Sequence, residues 1–339
     1  MTIVSVAVPC RNEIRHIGPF LESLLSQELG DDLECEFLIA DGMSTDGTRE
    51  LLSEHRSRFR SLIVLDNPNQ TVSSALNSAI LHARGEIVIR MDVHSEYAPN
   101  YIRECVGALR SSGADNVGGP ALPRGRTYTE RSICLAYQSP FGCGGARFHN
   151  PNYEGYVDTV TYGCWRKETL IELGLFDEEL VRNQDDELNL RLTRSGGRIW
   201  QTPKIRSWYS PRSSIAALAR QHFQYGYWKA RVIRKHRIPA SPRHLVPGTF
   251  ALALLLFAVT APFFPLVAKA FVLLLLAYGA ASLAASLAAC WTGRNLSLLP
   301  MMLVTFAAYH LPYGLGFLAG LCDIVLHRRP SSALTALTR

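Results

Sequence analysis

At 339 residues the chain is long enough for one large domain or two ordinary ones. Its net charge of +6 conceals a division: residues 1–187 hold 28 of the 29 acids against 17 bases, whereas residues 188–339 hold 18 bases against a single acid, Asp323. An acidic front and a basic rear imply two environments, the rear one rich in phosphate. Eight scattered cysteines without a CxxC pair exclude a zinc ribbon or thioredoxin-type motif and suit a reducing compartment. The opening MTIVSVAVPCRNE is too short and lacks the basic start of a secretory signal.

In chain order, IVSVAVPCRNE predicts a strand ending at Pro9 and a polar turn, and HIGPFLESLLSQ a helix. CEFLIADGMSTDGT is a second strand whose end carries Asp41, Gly42 and Asp46. TRELLSEHRSRF, SLIVLDNP, TVSSALNSAILHARG and EIVIRMDVH continue as helix, strand, helix and strand. This alternation with short links implies right-handed crossovers and a parallel sheet, whose ligands sit beyond the carboxyl ends of the strands. Polar residues gather at those ends: Arg11, Asn12 and Glu13; Asp41; Asn67; Asp92 and His94. No GxGxxG follows the first strand and no GxxxxGK[ST] occurs, which removes most support for dinucleotide binding and P-loop hydrolysis. ADGMSTDGT also reads as a helix cap, a role that leaves Asp41 unexplained.

Asp92 and His94 lie two apart, so an extended backbone puts both on one face, where they could hold a divalent cation. An N-capping Asp beside an unrelated His is the alternative. DDELNLRLTRSG predicts a helix ending at Gly196. Its first-turn acids Asp185, Asp186 and Glu187 favour the helix N-terminus, and their mutual repulsion raises at least one pKa.

Three apolar runs fill the rear: Leu245 to Ala268, Ala270 to Gly293, and Leu296 to Cys322 with only His310 as a chargeable group. Each exceeds the roughly 20 residues needed to cross hydrocarbon. The basic YWKARVIRKHRIPASPRH before the first run belongs on the cytoplasmic side, yet three crossings would leave HRRP, 327–330, outside against the same rule. Pro300, Pro312 and His310 mark the third run as re-entrant or tilted, so two or three crossings are expected. Ahead of the runs, Ile215, Leu218, Phe223, Tyr227, Val232 and Ile233 form an apolar stripe among Arg220, Lys229, Arg231, Arg234 and Lys235, a pattern suited to the head-group boundary.

Over residues 3–235, the ordered motifs VAVPCRNE, LIADGMSTDGT, NPNQTVSSALNSAI, ARGEIVIRMDVH, GLFDEEL and NQDDELNLRLTRSGG resemble the inverting glycosyltransferases of family 2. Within that family the chain looks most like the membrane-anchored, ExoA-type glucosyltransferases of succinoglycan biosynthesis. The resemblance implies a nucleotide-diphospho-sugar transferase (GT-A) domain, α/β with a mostly parallel sheet, over 1–210. A basic amphipathic interface segment (211–243), transmembrane helices (244–326) and a basic tail (327–339) follow.

By position, Pro9, Arg11, Asn12 and Glu13 match the first nucleotide-binding loop, and Asp41 matches the residue that reads the nucleobase, usually uracil. Asn67 and Asn77 flank the nucleotide. Asp92 opens a DxD-type motif whose second Asp is replaced by His94. The implied cofactor is Mn²⁺ or Mg²⁺, held by Asp92 and His94, or by Asp92 alone with His94 on the diphosphate; imidazole suits Mn²⁺ better. Aligned on Arg191, Asp185 takes the place of the general base, Asp186 the variable position and Glu187 the second acid, on the acceptor and diphosphate side; Gln184 replaces a leading Glu. Trp165 lines the acceptor side or packs in the core. QYGYW, 224–228, resembles the QxxRW element of processive synthases with Tyr227 in place of Arg. Gln224 and Trp228 are then acceptor contacts with Arg220 and Lys229 near diphosphate, or the segment is an interfacial anchor.

The expected activity is inverting transfer of a hexose, glucose from UDP-glucose, to a polyprenyl-diphosphate-linked saccharide in exopolysaccharide assembly. The expected place is the inner membrane, multi-pass, with the catalytic domain cytoplasmic and no nucleic-acid partner. The alternatives are a processive synthase, direct transfer to polyprenyl phosphate, and a non-catalytic nucleotide-sugar sensor or scaffold.

Overall fold

The computed structural model describes residues 1–335, so the end of the basic tail, 336–339, lies outside the described residues. Packing divides the chain into two units: Met1–Leu122 with Arg147–Ser210, and Pro123–Ala146 with Pro211–Arg339. The segment 123–146, placed by the sequence reading in the first domain, therefore belongs to the second unit.

The chain begins β1 (Thr2–Cys10), α1 (Ile14–Leu25), β2 (Leu33–Asp41), α2 (Thr48–His55), β3 (Leu62–Asp66), α3 (Val72–His82) and β4 (Ile87–Arg90). It continues through β5 (Ser95–Tyr97), α4 (Tyr101–Ser112), β6 (Asn116–Gly119) and β7 (Ala121–Pro123). The second unit's α5 (Tyr128–Gln138) and α6 (Pro140–Cys143) intervene. The first unit then resumes with β8 (Gly155–Val157), β9 (Thr161–Arg166), α7 (Lys167–Glu172), α8 (Gln184–Arg194), β10 (Ile199–Gln201) and β11 (Ser207–Tyr209).

The main sheet has the order β3-β2-β1-β4-β9-β6-β10-β8, and β5-β11-β7 form a second, smaller sheet. β1 to β4 are parallel to one another, as alternation predicted, while β9 runs antiparallel between β4 and β6. β1 is central and apolar on both faces: Val4, Val6 and Val8 enter one core, with Ile17, Phe20 and Leu21 of α1, whereas Ala7 enters another with Leu38, Leu76 and Ile80. Each fully buried Val or Leu of this kind contributes about 1.5–3 kcal/mol. Register aligns Cys10 with Asp41, Asp41 with Asp66, and Ala7 with Arg90, so the parallel strands end along one edge.

The fourth strand stops earlier than EIVIRMDVH suggested. Met91 N still bonds to Ala7 O (3.1 Å), but Asp92 N turns away to the Tyr97 hydroxyl (2.6 Å), and Val93–His94 form a turn. The extended-backbone argument for a common face therefore fails at Asp92 and His94.

The second unit is helical: α5, α6, α9 (Ile215–His236), α10 (Val246–Thr260), α11 (Pro265–Thr292), α12 (Leu299–Val325) and α13 (Ser332–Thr335). Ser214 caps α9 by accepting from Ala217 N (3.2 Å). Three spans, Pro242–Thr260, Pro265–Thr292 and Leu296–Val325, are long and apolar enough to cross a membrane. The third is one continuous helix with Pro312 inside it rather than a re-entrant pair. α9 does not present a free apolar stripe. Glycines bring it against α12: a Cβ at Gly226 would meet Tyr313 O at 2.0 Å, and one at Gly316 would meet Phe223 O at 2.0 Å. Leu218, Tyr227 and Val232 are buried, but so are Gln224, Trp228 and Lys229.

Candidate active site

The edge at the carboxyl ends of β1 to β4 gathers most of the residues singled out in the front half. The loops after β1 and β2 are tied together. Asn12 N donates to Ser44 Oγ (2.7 Å), Thr45 N to Asn12 Oδ1 (2.9 Å), Glu13 N to Thr48 Oγ1 (2.8 Å) and Ile14 N to Asp46 Oδ2 (3.1 Å). Gly42 is needed there because a Cβ would lie 3.1 Å from the Arg11 side chain. Asp41 is fully buried and accepts from Ser44 N (3.0 Å) and Arg49 Nη1 (3.2 Å), while Arg49 also reaches Asp66 (2.6 Å). Pro9, Arg11, Asn12 and Glu13 are half-buried around this loop pair. Asn12 and Met43 hold positive φ, 52° and 58°, a conformation that non-glycine residues seldom adopt and that concentrates at functional sites.

Asn67 closes the start of α3, donating to Thr71 O (2.9 Å) and accepting from Ser74 Oγ (2.7 Å). Asn77 departs from its expected role. Its amide donates to Phe176 O and Glu178 Oε1 and accepts from Phe176 N, each at 2.9 Å, so it anchors the LFDE loop rather than flanking a nucleotide.

The centre of the site is Arg90, a residue the sequence reading passed over. It ends β4, is 6% exposed, and its guanidinium donates from Nε to Asp92 Oδ1 (2.9 Å), from Nη2 to Asp92 Oδ2 (3.1 Å) and from Nη1 to Asp185 Oδ1. One buried cation thus joins the expected donor-side carboxylate to the expected base. An Arg closing the apolar run IVIR is the signal that was available: a charge inside a buried strand needs partners. Tyr162, at φ 61°, lies with its ring 6.0 Å from the guanidinium and shares a hydrogen bond with the Ser95 hydroxyl.

α8 carries Asp185 in its first turn and is fixed from behind. Leu188 enters the second core, and Asn189 accepts from Asn116 Nδ2 (2.9 Å) and donates to Thr159 Oγ1 (2.8 Å). Arg191 grips Glu187 (2.8 Å) and the carbonyls of Leu173 and Leu175. Glu187 is fully buried in that grip, so it secures the helix instead of facing an acceptor. Trp165 is 2% exposed and packs edge-on to Phe176 (6.2 Å), which selects the core alternative for it.

Electrostatics separate the two carboxylates. Burial alone would raise Asp92, but the charge and hydrogen bonds of Arg90, with His94 adding, hold it below the usual carboxylate range. Asp185 goes the other way, up to about 6: withdrawal from water dominates, Arg90 opposes it, and the charges of Asp92 and Asp186 add to it. Its side chain keeps 41% of its surface open, so the groups packed around it withdraw it only in part and water still reaches the carboxylate. For Arg90, burial acts downward and is outweighed by Asp185 and Asp92, which leaves the guanidinium firmly charged.

His94 is 56% exposed, with Nδ1 3.8 Å from Glu13 Oε1. Among the described residues no three of His, Cys, Asp and Glu converge into a ready-made metal cage. Asp92 keeps one lone pair on each oxygen beyond those given to Arg90, and the His94 imidazole is exposed, so each has the chemistry to ligate a cation that takes further ligands from phosphate oxygens. In the second unit, Arg220 is exposed, whereas Gln224, Trp228 and Lys229 are buried and Trp228 Nε1 donates to Leu334 O (3.1 Å). That burial does not present QYGYW as an open acceptor surface. A cavity of about 580 Å³ lies at the other edge of the sheet, lined by Thr2, Arg84, Arg110, Arg166 and Lys167 among others. Arg84 and Arg110 are already paired with Glu36 and Asp32, and strand amino ends are not where such sheets bind ligands.

The glycosyl transferase family 2 model matches residues 5–173. The succinoglycan biosynthesis protein ExoA of Rhizobium meliloti is 32% identical over 71% of this chain and 73% of its own length. A dolichyl N-acetyl-alpha-D-glucosaminyl phosphate 3-beta-D-2,3-diacetamido-2,3-dideoxy-beta-D-glucuronosyltransferase of Methanococcus voltae is 27% identical over 69% of this chain and 75% of its own. Among solved structures, a mannosyltransferase from Pyrobaculum calidifontis in complex with GDP-Man and Mn²⁺ has the same fold, with a TM-score of 0.58 at 19% identity, over 94% of this chain and 87% of that one. Sheet order, motif spacing and these likenesses agree: the chain is a glycosyltransferase and belongs to glycosyl transferase family 2.

Proposed function

We propose that the protein transfers a hexose, glucose from UDP-glucose being the expected donor, to a polyprenyl-diphosphate-linked saccharide during exopolysaccharide assembly. It would act at the cytoplasmic face of the inner membrane. The observation that carries this reading is the single guanidinium of Arg90 bonded to both Asp92 and Asp185.

In this mechanism Asp185 accepts the proton of the acceptor hydroxyl while that oxygen attacks the anomeric carbon, a role that contributes about 10²–10⁴-fold. The bond from the anomeric carbon to the nucleotide diphosphate breaks in the same step, so the anomeric centre inverts. Asp92 and His94 stand on the donor side, with Arg11, Asn12, Glu13 and Asp41 around the nucleotide. Asp92 and His94 would hold a divalent cation, Mn²⁺ or Mg²⁺, whose charge would offset that of the departing diphosphate. An elevated pKa suits Asp185, because a base titrating near the working pH combines an available lone pair with enough basicity.

The lipid-linked acceptor is supported by three apolar helices in the same chain as the catalytic residues, and by relatives named for succinoglycan biosynthesis and for a dolichyl-linked sugar. The test is incubation of membranes with a panel of labelled nucleotide sugars, followed by lipid extraction and determination of the anomeric configuration. A single added sugar of inverted configuration in the lipid fraction is expected. Retention of configuration, or long polymer from the purified protein, refutes the proposed single inverting transfer.

A further inference from the structure

α9 and α12 lie side by side and run in the same direction. His222 packs on Tyr309 with ring centroids 4.2 Å apart, and the Tyr227 hydroxyl donates to Asp323 Oδ2 (2.8 Å). Farther along, Arg231 donates to the carbonyl of Arg328 (3.1 Å). Close contacts keep nearly one offset along both helices, with Gly226 against Tyr313 and Phe317, Gly316 against Phe223 and Gly320 against Tyr227 and Ala230, and Arg328 follows just past the end of α12. With no Cβ at 226, 316 or 320, the backbones meet directly, and the pair forms one two-stranded rod.

This pairing constrains which segments enter hydrocarbon. If α12 crossed the bilayer, α9 would cross beside it. α9 carries Arg220, Lys229, Arg231, Arg234 and Lys235, with Arg220, Arg234 and Lys235 exposed, and charges in the middle of a bilayer are heavily penalised. α12 is also occupied on its first half by protein. Thr305 shares a hydrogen bond with Ser132 of α5 (2.7 Å), and His310 bonds to the carbonyl of Phe141 of α6 (2.8 Å).

The other two apolar helices differ. Phe250 stacks on Tyr278 (4.8 Å) and Phe257 meets Phe271 edge-on (6.5 Å), so α10 and α11 form an antiparallel hairpin. Its far end leaves Val259, Phe263, Leu266, Leu273 and Leu276 exposed. Lys269, close to the tip, has the long stem that lets an ammonium reach head groups.

We infer that the α10–α11 hairpin alone enters the hydrocarbon core, and that α12 stays beside α9 outside it, so that Arg231 and Arg328 lie on one face of the bilayer. This rests on the membrane-bound reading given above and adds the side to which the chain returns. It also removes the conflict raised by three crossings: the basic end of α9 and Arg328–Arg329 share a face, as the distribution of positive charge requires.

The test uses the full-length chain in a bacterium, carrying green fluorescent protein, which fluoresces only in the cytoplasm, at either terminus. A second fusion carries alkaline phosphatase, active only after export, at the C-terminus. Expected are N- and C-terminal fluorescence equal within about twofold and phosphatase activity below about a tenth of an exported control. An active C-terminal phosphatase with a fluorescent N-terminus overturns the inference, because α12 then crosses. Dark fusions at both ends with an active phosphatase keep the same-face arrangement but remove the cytoplasmic reading. Release of the protein by a carbonate wash removes the membrane-bound reading itself.

Discussion

Replacing Arg90 by Gln tests the arrangement at its centre. Arg90 is 6% exposed and makes three charged hydrogen bonds, two of them to Asp92, whose side chain is 13% exposed. Removing one partner of a buried ion pair costs about 3–5 kcal/mol. Because Asp185 keeps 41% of its side chain in water, its share is screened, and the expected loss of stability lies at the lower end, about 3 kcal/mol. The rate should suffer more specifically. A displacement of about 1 Å in a catalytic group can cost about 10²-fold, so kcat should fall by about that factor. Looser nucleotide binding should accompany it, since Asp92 loses its support. Arg90→Lys keeps the charge but not the planar fork, and should recover about tenfold of the rate. The assay is transfer of labelled sugar to extracted lipid acceptor, with UDP affinity by calorimetry and thermal unfolding in parallel. The pH profile gives an independent sign. Arg90 opposes the elevation of Asp185, so its loss should move the acidic limb of kcat/KM to higher pH. An Arg90→Gln protein that turns over within about threefold of the parent, with the limb in place, refutes the reasoning.

Four further outcomes are expected. Asp185→Asn should abolish transfer while UDP affinity, followed by calorimetry, stays within about twofold. In the parent protein kcat/KM should rise through about pH 6, because Asp185 can accept a proton only once its own is gone; initial rates across pH 5–8 show this limb, and a flat profile removes the base from Asp185. Asp92→Ala should weaken UDP binding and its dependence on Mn²⁺ together, in titrations with and without the cation. Arg191→Met should leave Glu187 buried without the guanidinium that grips it and cost about 3–5 kcal/mol, seen as a lower melting temperature.

The front half was legible because β1 and β2 are long and apolar, and because β1 to β4 are separated by helices with regular buried positions such as Ile17, Phe20, Leu21 and Leu24. The three-residue strands β5, β7, β8, β10 and β11 carry too little periodicity to announce themselves, and their pairing depends on partners remote in sequence. In the site, residue type at a strand end pointed to the sheet edge where Arg90 joins Asp92 to Asp185, but not to the task of each group. Asn77 and Glu187 are polar residues aimed inward, and only three-dimensional contacts reveal that Asn77 holds a loop in place and Glu187 the helix α8. Trp165 was undecided between acceptor surface and core for the same reason. Arg90 closes an apolar run, where residue type alone does not tell a solvent-facing strand end from a buried cation held by Asp92 and Asp185. α9 misled because its basic residues and apolar stripe suit a lipid surface, whereas Gly226 opens one side of it to backbone contact with α12.

The division of the chain into interleaved pieces bears on biogenesis. α5 and α6 are translated between β7 and β8, yet Ser132 meets Thr305 and Ile133 meets Tyr309, residues made more than 160 positions later. On a ribosome this inserted stretch must wait, uncovered, until almost the whole polypeptide has emerged, which gives chaperones and the insertion machinery a window to engage it. Shortening the gene after codon 210 to obtain a water-soluble enzyme would make that wait permanent. Ile133, Ala136 and Phe141 would stay bare on an otherwise completed catalytic unit, and deleting 123–146 along with the C-terminal helices is the shorter route to a tractable fragment.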